Sequence, residues 1–122
     1  MQLICLTVFQ HIPADQLKIS VCIKKRPIFT RELENGEIDC VSFCNPKVIV
    51  HENKFKVDGI TKFIENSEFE FDNTFSHDES NEELYDCSIK PILDHVFDTG
   101  TITIFAYGQT GSGKTFTMQG LQ

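Results

Sequence analysis

The 122-residue chain has no tryptophan, only four prolines and only seven glycines. So little Gly and Pro excludes a collagenous or low-complexity chain. No apolar stretch approaches the roughly 18 residues of a spanning helix, so no membrane partner is expected. Positive charge is not in excess: eleven Lys and Arg face eighteen Asp and Glu, a formal net charge of −7. That balance argues against a nucleic-acid binder carried by bulk charge. No Cys-x-x-Cys pair occurs among Cys5, Cys22, Cys40, Cys44 and Cys87, and His11, His51, His77 and His95 are scattered without zinc-ligand spacing. The expected state is therefore reduced thiols acting as small hydrophobes in a cytosolic protein. Met1–Gln10 lacks the basic start and small-residue cleavage site of a secretory signal, so residues 1–17 read as a poorly ordered or strand-like leader.

What is present is a globular composition, with 40% hydrophobic and 24% charged residues. The length suits one domain at most, with a core possible without disulfides. Charge is unevenly spread. Residues 18–62 hold nine basic against six acidic side chains, whereas residues 65–98 hold eleven acids against Lys90 alone. The acidic run reads as a solvated face and the basic half as a weak pointer to an acidic partner.

Ile19-Ser20-Val21-Cys22-Ile23 alternates and is β-branched, which predicts a strand running to Arg26 and stopped by Pro27. Phe29 to Asp39 is mostly polar around Asn35-Gly36 and predicts a loop. Val41–Cys44 and Val48–Val50 flank Asn45-Pro46 as a small hairpin, which Lys54–Asp58 extends. A short strand is expected at Phe69–Phe71, with Phe75 just beyond. Ser80-Asn81-Glu82-Glu83 has capping-box spacing, and Tyr85, Ile89, Ile92, Leu93 and Val96 form the apolar stripe of the helix that follows. Pro91 should kink that helix and Gly100 end it. Thr101–Tyr107 then reads as a buried central strand, and the succession of helix, strand, glycine loop and new helix indicates α/β organisation.

Gly108-Gln109-Thr110-Gly111-Ser112-Gly113-Lys114-Thr115 matches the phosphate-loop pattern in full. A triphosphate is a dense polyanion, best held by converging backbone amides. Only residues without Cβ let the backbone approach closely, which accounts for Gly108, Gly111 and Gly113. A helix starting near Gly113 adds free amides and the positive end of its dipole. Lys114 is placed to bridge the β- and γ-phosphates, and the Thr115 hydroxyl to ligate Mg²⁺.

Ile104-Phe105-Ala106-Tyr107 running into this loop, and Thr117-Met118 after it, resemble the kinesin motor domain. Three further stretches agree with that family in order: Lys24-Lys25-Arg26-Pro27 with its R-x-R-P motif, Phe69-Glu70-Phe71-Asp72 and Phe75 with F-x-F-D-x-x-F, and Ser80–Tyr85 with the start of the helix before the loop. The resemblance implies a P-loop NTPase kinesin-motor fold, with residues 18–122 as its incomplete N-terminal part. It implies ATP and Mg²⁺ as cofactors, ATPase activity of the complete domain, tubulin and microtubules as partners, and a place in the cytoplasm on the cytoskeleton, the spindle included. It also implies adenine-side contacts from Lys24, Arg26, Pro27 and Phe116. Lys24 stands where the family has arginine and loses planar stacking, so affinity is expected to fall modestly. Phe116 stands where the family has histidine and keeps a ring able to stack.

Val50–Asp58 with Thr61–Asn66 resembles the internal-motor, kinesin-13 class. There a Lys-Val-Asp loop tip, here Lys56, Val57 and Asp58, presses on tubulin and promotes microtubule disassembly. The family's switch I and switch II patterns, which position the attacking water, do not occur before Gln122. The alternative expectation is a truncated, non-enzymatic fragment with at most nucleotide or tubulin binding.

Overall fold

The chain builds two sheets rather than one, and residues 51–68, though largely polar, lie inside the smaller sheet as the paired arms of one hairpin. The computed structural model describes residues 3–11, 18–98 and 100–121. Its strands are β1 Leu3–His11, β2 Lys18–Lys25, β3 Val41–Cys44, β4 Lys47–Phe55, β5 Lys62–Glu70, β6 Asn73–Phe75 and β7 Thr101–Tyr107. Its helices are α1 Thr30–Glu34, α2 Asn81–Ser88, α3 Leu93–Phe97 and α4 Lys114–Gly120, with a 3-10 turn at Lys90–Ile92 before α3.

The larger sheet has the order β6-β2-β1-β7. β1 is antiparallel to both neighbours, from Leu3↔Lys25 on one side and Cys5↔Tyr107 on the other, so β2 and β7 run parallel. Of the two readings of the leader, poorly ordered or strand-like, the second describes Leu3–His11. Residues 1–2 and 12–17 lie outside the described residues.

Alternation sorts the side chains of this sheet. Cys22 faces the helices, where it joins Phe75 and Leu84 in a buried cluster sealed by Ile104, Ala106, Met118 and Leu121. Ile23, one residue on, points to the opposite face. α2 and α4 thus meet over this cluster, with α4 also touching β7, and Leu84 is fully buried. Leu84→Ala should cost about 2–5 kcal/mol through lost burial and the cavity left behind. That loss would lower the urea midpoint at unchanged m-value, and an unchanged midpoint would remove Leu84 from the core.

The smaller sheet is the meander β3-β4-β5. The hairpin turns at Asn45-Pro46 as expected, and Val48 is its buried anchor. Across its exposed face His51 links all three strands, through Ser42 Oγ at 2.8 Å and Asn66 Oδ1 at 2.8 Å.

Several expectations are corrected. Residues 29–39 contain α1, because Glu32 accepts from the Phe29 amide at 2.8 Å and caps a single turn that Asn35-Gly36 then ends. β5 begins at Lys62, earlier than the expected Phe69, since it pairs along the whole of β4 rather than through an apolar pattern of its own. The core positions of α2 are Leu84, Ser88 and Ile89, whereas Val96 is 44% exposed beyond the break at Pro91. β7 is half-exposed, with Tyr107 80% accessible, because among the described residues it pairs on one side only. Of the cysteines only Cys22 is a buried hydrophobe, while Cys40, Cys44 and Cys87 are exposed.

Candidate functional site

Gly108 leaves β7 where the sheet ends, and close packing there requires glycine. A Cβ at this position would lie 2.6 Å from Ser112 Oγ and 2.8 Å from the Leu3 carbonyl. Gly111 and Gly113 take positive φ of 80° and 98°, which side chains rarely adopt, and together they turn the loop back into α4. Gly113 is the N-cap, and the helical ladder opens with Thr117 N donating to Gly113 O at 3.0 Å. The amides of Lys114, Thr115 and Phe116 therefore have no acceptor within the helix. Lys114 Nζ folds over the loop and donates to the carbonyls of Gly108 at 2.6 Å and Gln109 at 2.8 Å. Thr115 and Thr110 are exposed. Ser112 is fully buried at the loop's centre, and its Oγ has no hydrogen-bond partner.

These features fit the polyphosphate and cation implied by the motif. The first-turn amides of α4 have no helical acceptors, and Lys114 beside them is held by neutral loop carbonyls.

Beside the loop lies a cleft of about 620 Å³. Lys24, Arg26, Pro27, Gly113 and Phe116 line it together, so the residues expected on the adenine side do converge. Phe116 is 71% exposed, which sets aside a core role and leaves its ring open to a planar ligand. Residues 108–112, Lys114 and Thr115 adjoin this cleft rather than line it.

Two cleft cations have partners of their own. Lys24 is buried and donates to the Glu79 carbonyl at 2.5 Å. Burial pushes its ammonium pKa down, against the opposing pull of Glu79 and Glu83. Arg26 forms a two-pronged ion pair with Glu32, lies 4.3 Å over the Phe29 ring and donates through Nε to Gly111 O at 2.8 Å. The hydrogen bond from Arg26 holds the Glu32 carboxyl down at about 2, helped by the Phe29 amide.

Glu32, Glu79 and Asn81 are site-adjacent residues that the sequence pattern did not single out. Asn81 follows the Ser80 cap, where Ser80 Oγ accepts from Glu83 N at 3.1 Å and Glu83 accepts from Ser80 N at 2.6 Å. It spans α2 and α4 by donating to Phe116 O at 3.3 Å. The capping box announced where this helix begins. Nothing in the spacing announced that its first turn would face the cleft.

Lys56, Val57 and Asp58 stand apart from the nucleotide cleft, at the tip of the β4–β5 hairpin. Lys56 N donates to Thr61 O at 2.8 Å, and Gly59, at φ 70°, turns the chain. Asp58 organises the tip by accepting from Thr61 Oγ1 at 2.5 Å and from the amides of Thr61 and Ile60. Those bonds, the Thr61 hydroxyl first, pull its carboxyl pKa down. Val57 projects fully exposed from the apex.

The Kinesin motor domain family matches residues 24–122. The chain is also 46% identical over 105 residues to diatom spindle kinesin-1 of Cylindrotheca fusiformis, an alignment covering 85% of this chain. It spans 17% of the length of that curated relative.

Proposed function

The chain belongs to the kinesin motor family, and from that premise we propose that it is the ATP-binding part of a microtubule-associated ATPase. The observation that carries this reading is the glycine-turned loop that opens α4, with first-turn amides lacking helical acceptors and Lys114 folded over the loop. The first-turn amides and Lys114 would hold the phosphates, and Thr115 would hold Mg²⁺. Lys24, Arg26, Pro27 and Phe116 would flank the base. Bound Mg²⁺ would supply neutralisation of the phosphate charge. Lys114 is suited to the phosphates because its present acceptors are neutral carbonyls, which release it without leaving a buried carboxylate unpaired.

We further propose that the β4–β5 hairpin is a tubulin contact used in microtubule disassembly, as in the kinesin-13 class. The support is local: an Asp58-organised tip, a fully exposed Val57 and a flanking sequence that resembles that class. The test places this segment within a whole motor domain and replaces Lys56, Val57 and Asp58 by alanine. Microtubule shrinkage should fall at least about tenfold, the loss expected when central contact residues are truncated. ATP turnover should persist. Unchanged shrinkage with ATPase intact would overturn the disassembly role.

A further inference from the structure

Gly111 sits at the turn of the phosphate loop with φ 80°, and no atom lies within 4 Å of where a Cβ would stand. At Gly111 itself no side-chain packing fixes the peptide that follows, so only its far end, at buried Ser112, is held that way, and glycine offers little resistance to rotation at the near end. Two hydrogen bonds hold that peptide. Its carbonyl accepts from Arg26 Nε at 2.8 Å, and the Ser112 amide on its other side donates to Gln109 O at 3.1 Å. A planar trans peptide points C=O and N–H in opposite directions, so fixing the carbonyl outward fixes the amide across the loop. A rotated peptide would turn the carbonyl's negative end inward, where it would repel a phosphate.

Arg26 performs this task only if its own guanidinium is fixed, and Glu32 fixes it. Both carboxylate oxygens meet Arg26, with Oε2 2.8 Å from Nη1 and Oε1 paired to Nη2. Oε2 also accepts from the Phe29 amide at 2.8 Å, which anchors the carboxylate to α1. The Phe29 ring adds a stacking contact, with the guanidinium carbon 4.3 Å over its centre. Planar two-pronged pairing of this kind orients Arg26 as well as binding it.

We propose that Glu32 is a positioning residue of the nucleotide site, which sets the Gly111–Ser112 peptide through Arg26 without touching nucleotide. The proposal rests on the nucleotide-binding reading above for its purpose, though not for its geometry. The low pKa of Glu32 keeps the pair charged through the neutral range. Its contribution is complete above the ordinary carboxylate value of 4.5 and is lost as pH falls through about 2.

The test compares the wild-type chain with Glu32→Gln, Glu32→Ala and Arg26→Lys. Glu32→Gln retains an oxygen for the Phe29 amide but removes the negative charge that pairs with Arg26, so it separates capping from positioning. Amide hydrogen exchange without nucleotide should speed up about fivefold to tenfold at Ser112 in Glu32→Gln, the effect of removing one charge-assisted pairing. Amides of β4 and β5 should keep their protection and serve as the folding control. Adding Glu32→Gln to Arg26→Lys should produce no further change at Ser112, because both act through one guanidinium. Mg-ATP affinity of Glu32→Gln should fall by a similar factor. Unchanged Ser112 exchange in a folded Glu32→Gln chain, or full additivity with Arg26→Lys, would overturn the proposal. Faster Ser112 exchange in a chain whose wild type binds no Mg-ATP would uphold the positioning role and overturn the nucleotide reading instead.

Discussion

Lys114→Ala is expected to weaken Mg-ATP binding at least about a hundredfold, the scale of losing one preorganised charged donor at a phosphate. The geometry explains why no neighbour replaces it. Arg26 is committed to Glu32 and Gly111, Lys25 to Asp39 at 2.5 Å and the Val41 carbonyl at 2.9 Å, and Lys24 is buried with the charges of Glu79 and Glu83 beside it. Lys114, in contrast, bridges two loop carbonyls and lies at the N-terminus of α4. Fold stability should barely change, since Lys114 is half-exposed and its hydrogen bonds go to carbonyls of the loop it covers. Fluorescence titration with a labelled ATP, together with thermal unfolding, checks both halves. A binding loss of less than about threefold would mean that Lys114 does not face the phosphates.

Gly108→Ala should act on the fold and the site together. Its new methyl would meet Ser112 Oγ at 2.6 Å, Leu3 O at 2.8 Å and Ser112 Cβ at 3.4 Å. The Leu3 carbonyl belongs to a strand paired on both sides, and Ser112 is fully buried, so neither can retreat without disturbing a sheet or the loop. Overpacking of this kind costs about 1–3 kcal/mol. Denaturant unfolding should show that loss, and Mg-ATP affinity should drop because Ser112 must shift. Adding Ser112→Ala removes the nearest atom and should restore part of the stability. Failure to restore any of it would place the strain at Leu3 alone.

Much of this was legible from residues whose chemistry is local. The capping box at Ser80–Glu83, the break at Pro91, the turn at Asn45-Pro46 and the glycine loop each depend on neighbours within a few positions. Features that depend on distant partners were not. β5 is a strand because β4 offers it a ladder, despite its polar sequence. α1 exists because Glu32 caps it, and Glu32 earns its place in the site by holding an arginine whose own target lies 85 residues away. The solvent exposure of β7 was missed for the same reason, since a run such as Thr101–Tyr107 specifies a strand but not what flanks it. The leader could be read as strand-like, yet its insertion between β2 and β7 is a matter of register that composition does not carry.

The most direct measurement of the central claim is calorimetric titration of the wild-type chain with Mg-ATP, run beside Lys114→Ala under the same conditions. The account predicts a single saturable site in the wild type and its loss in the variant. Equal binding by the two folded chains, or no binding by the folded wild type, would contradict it.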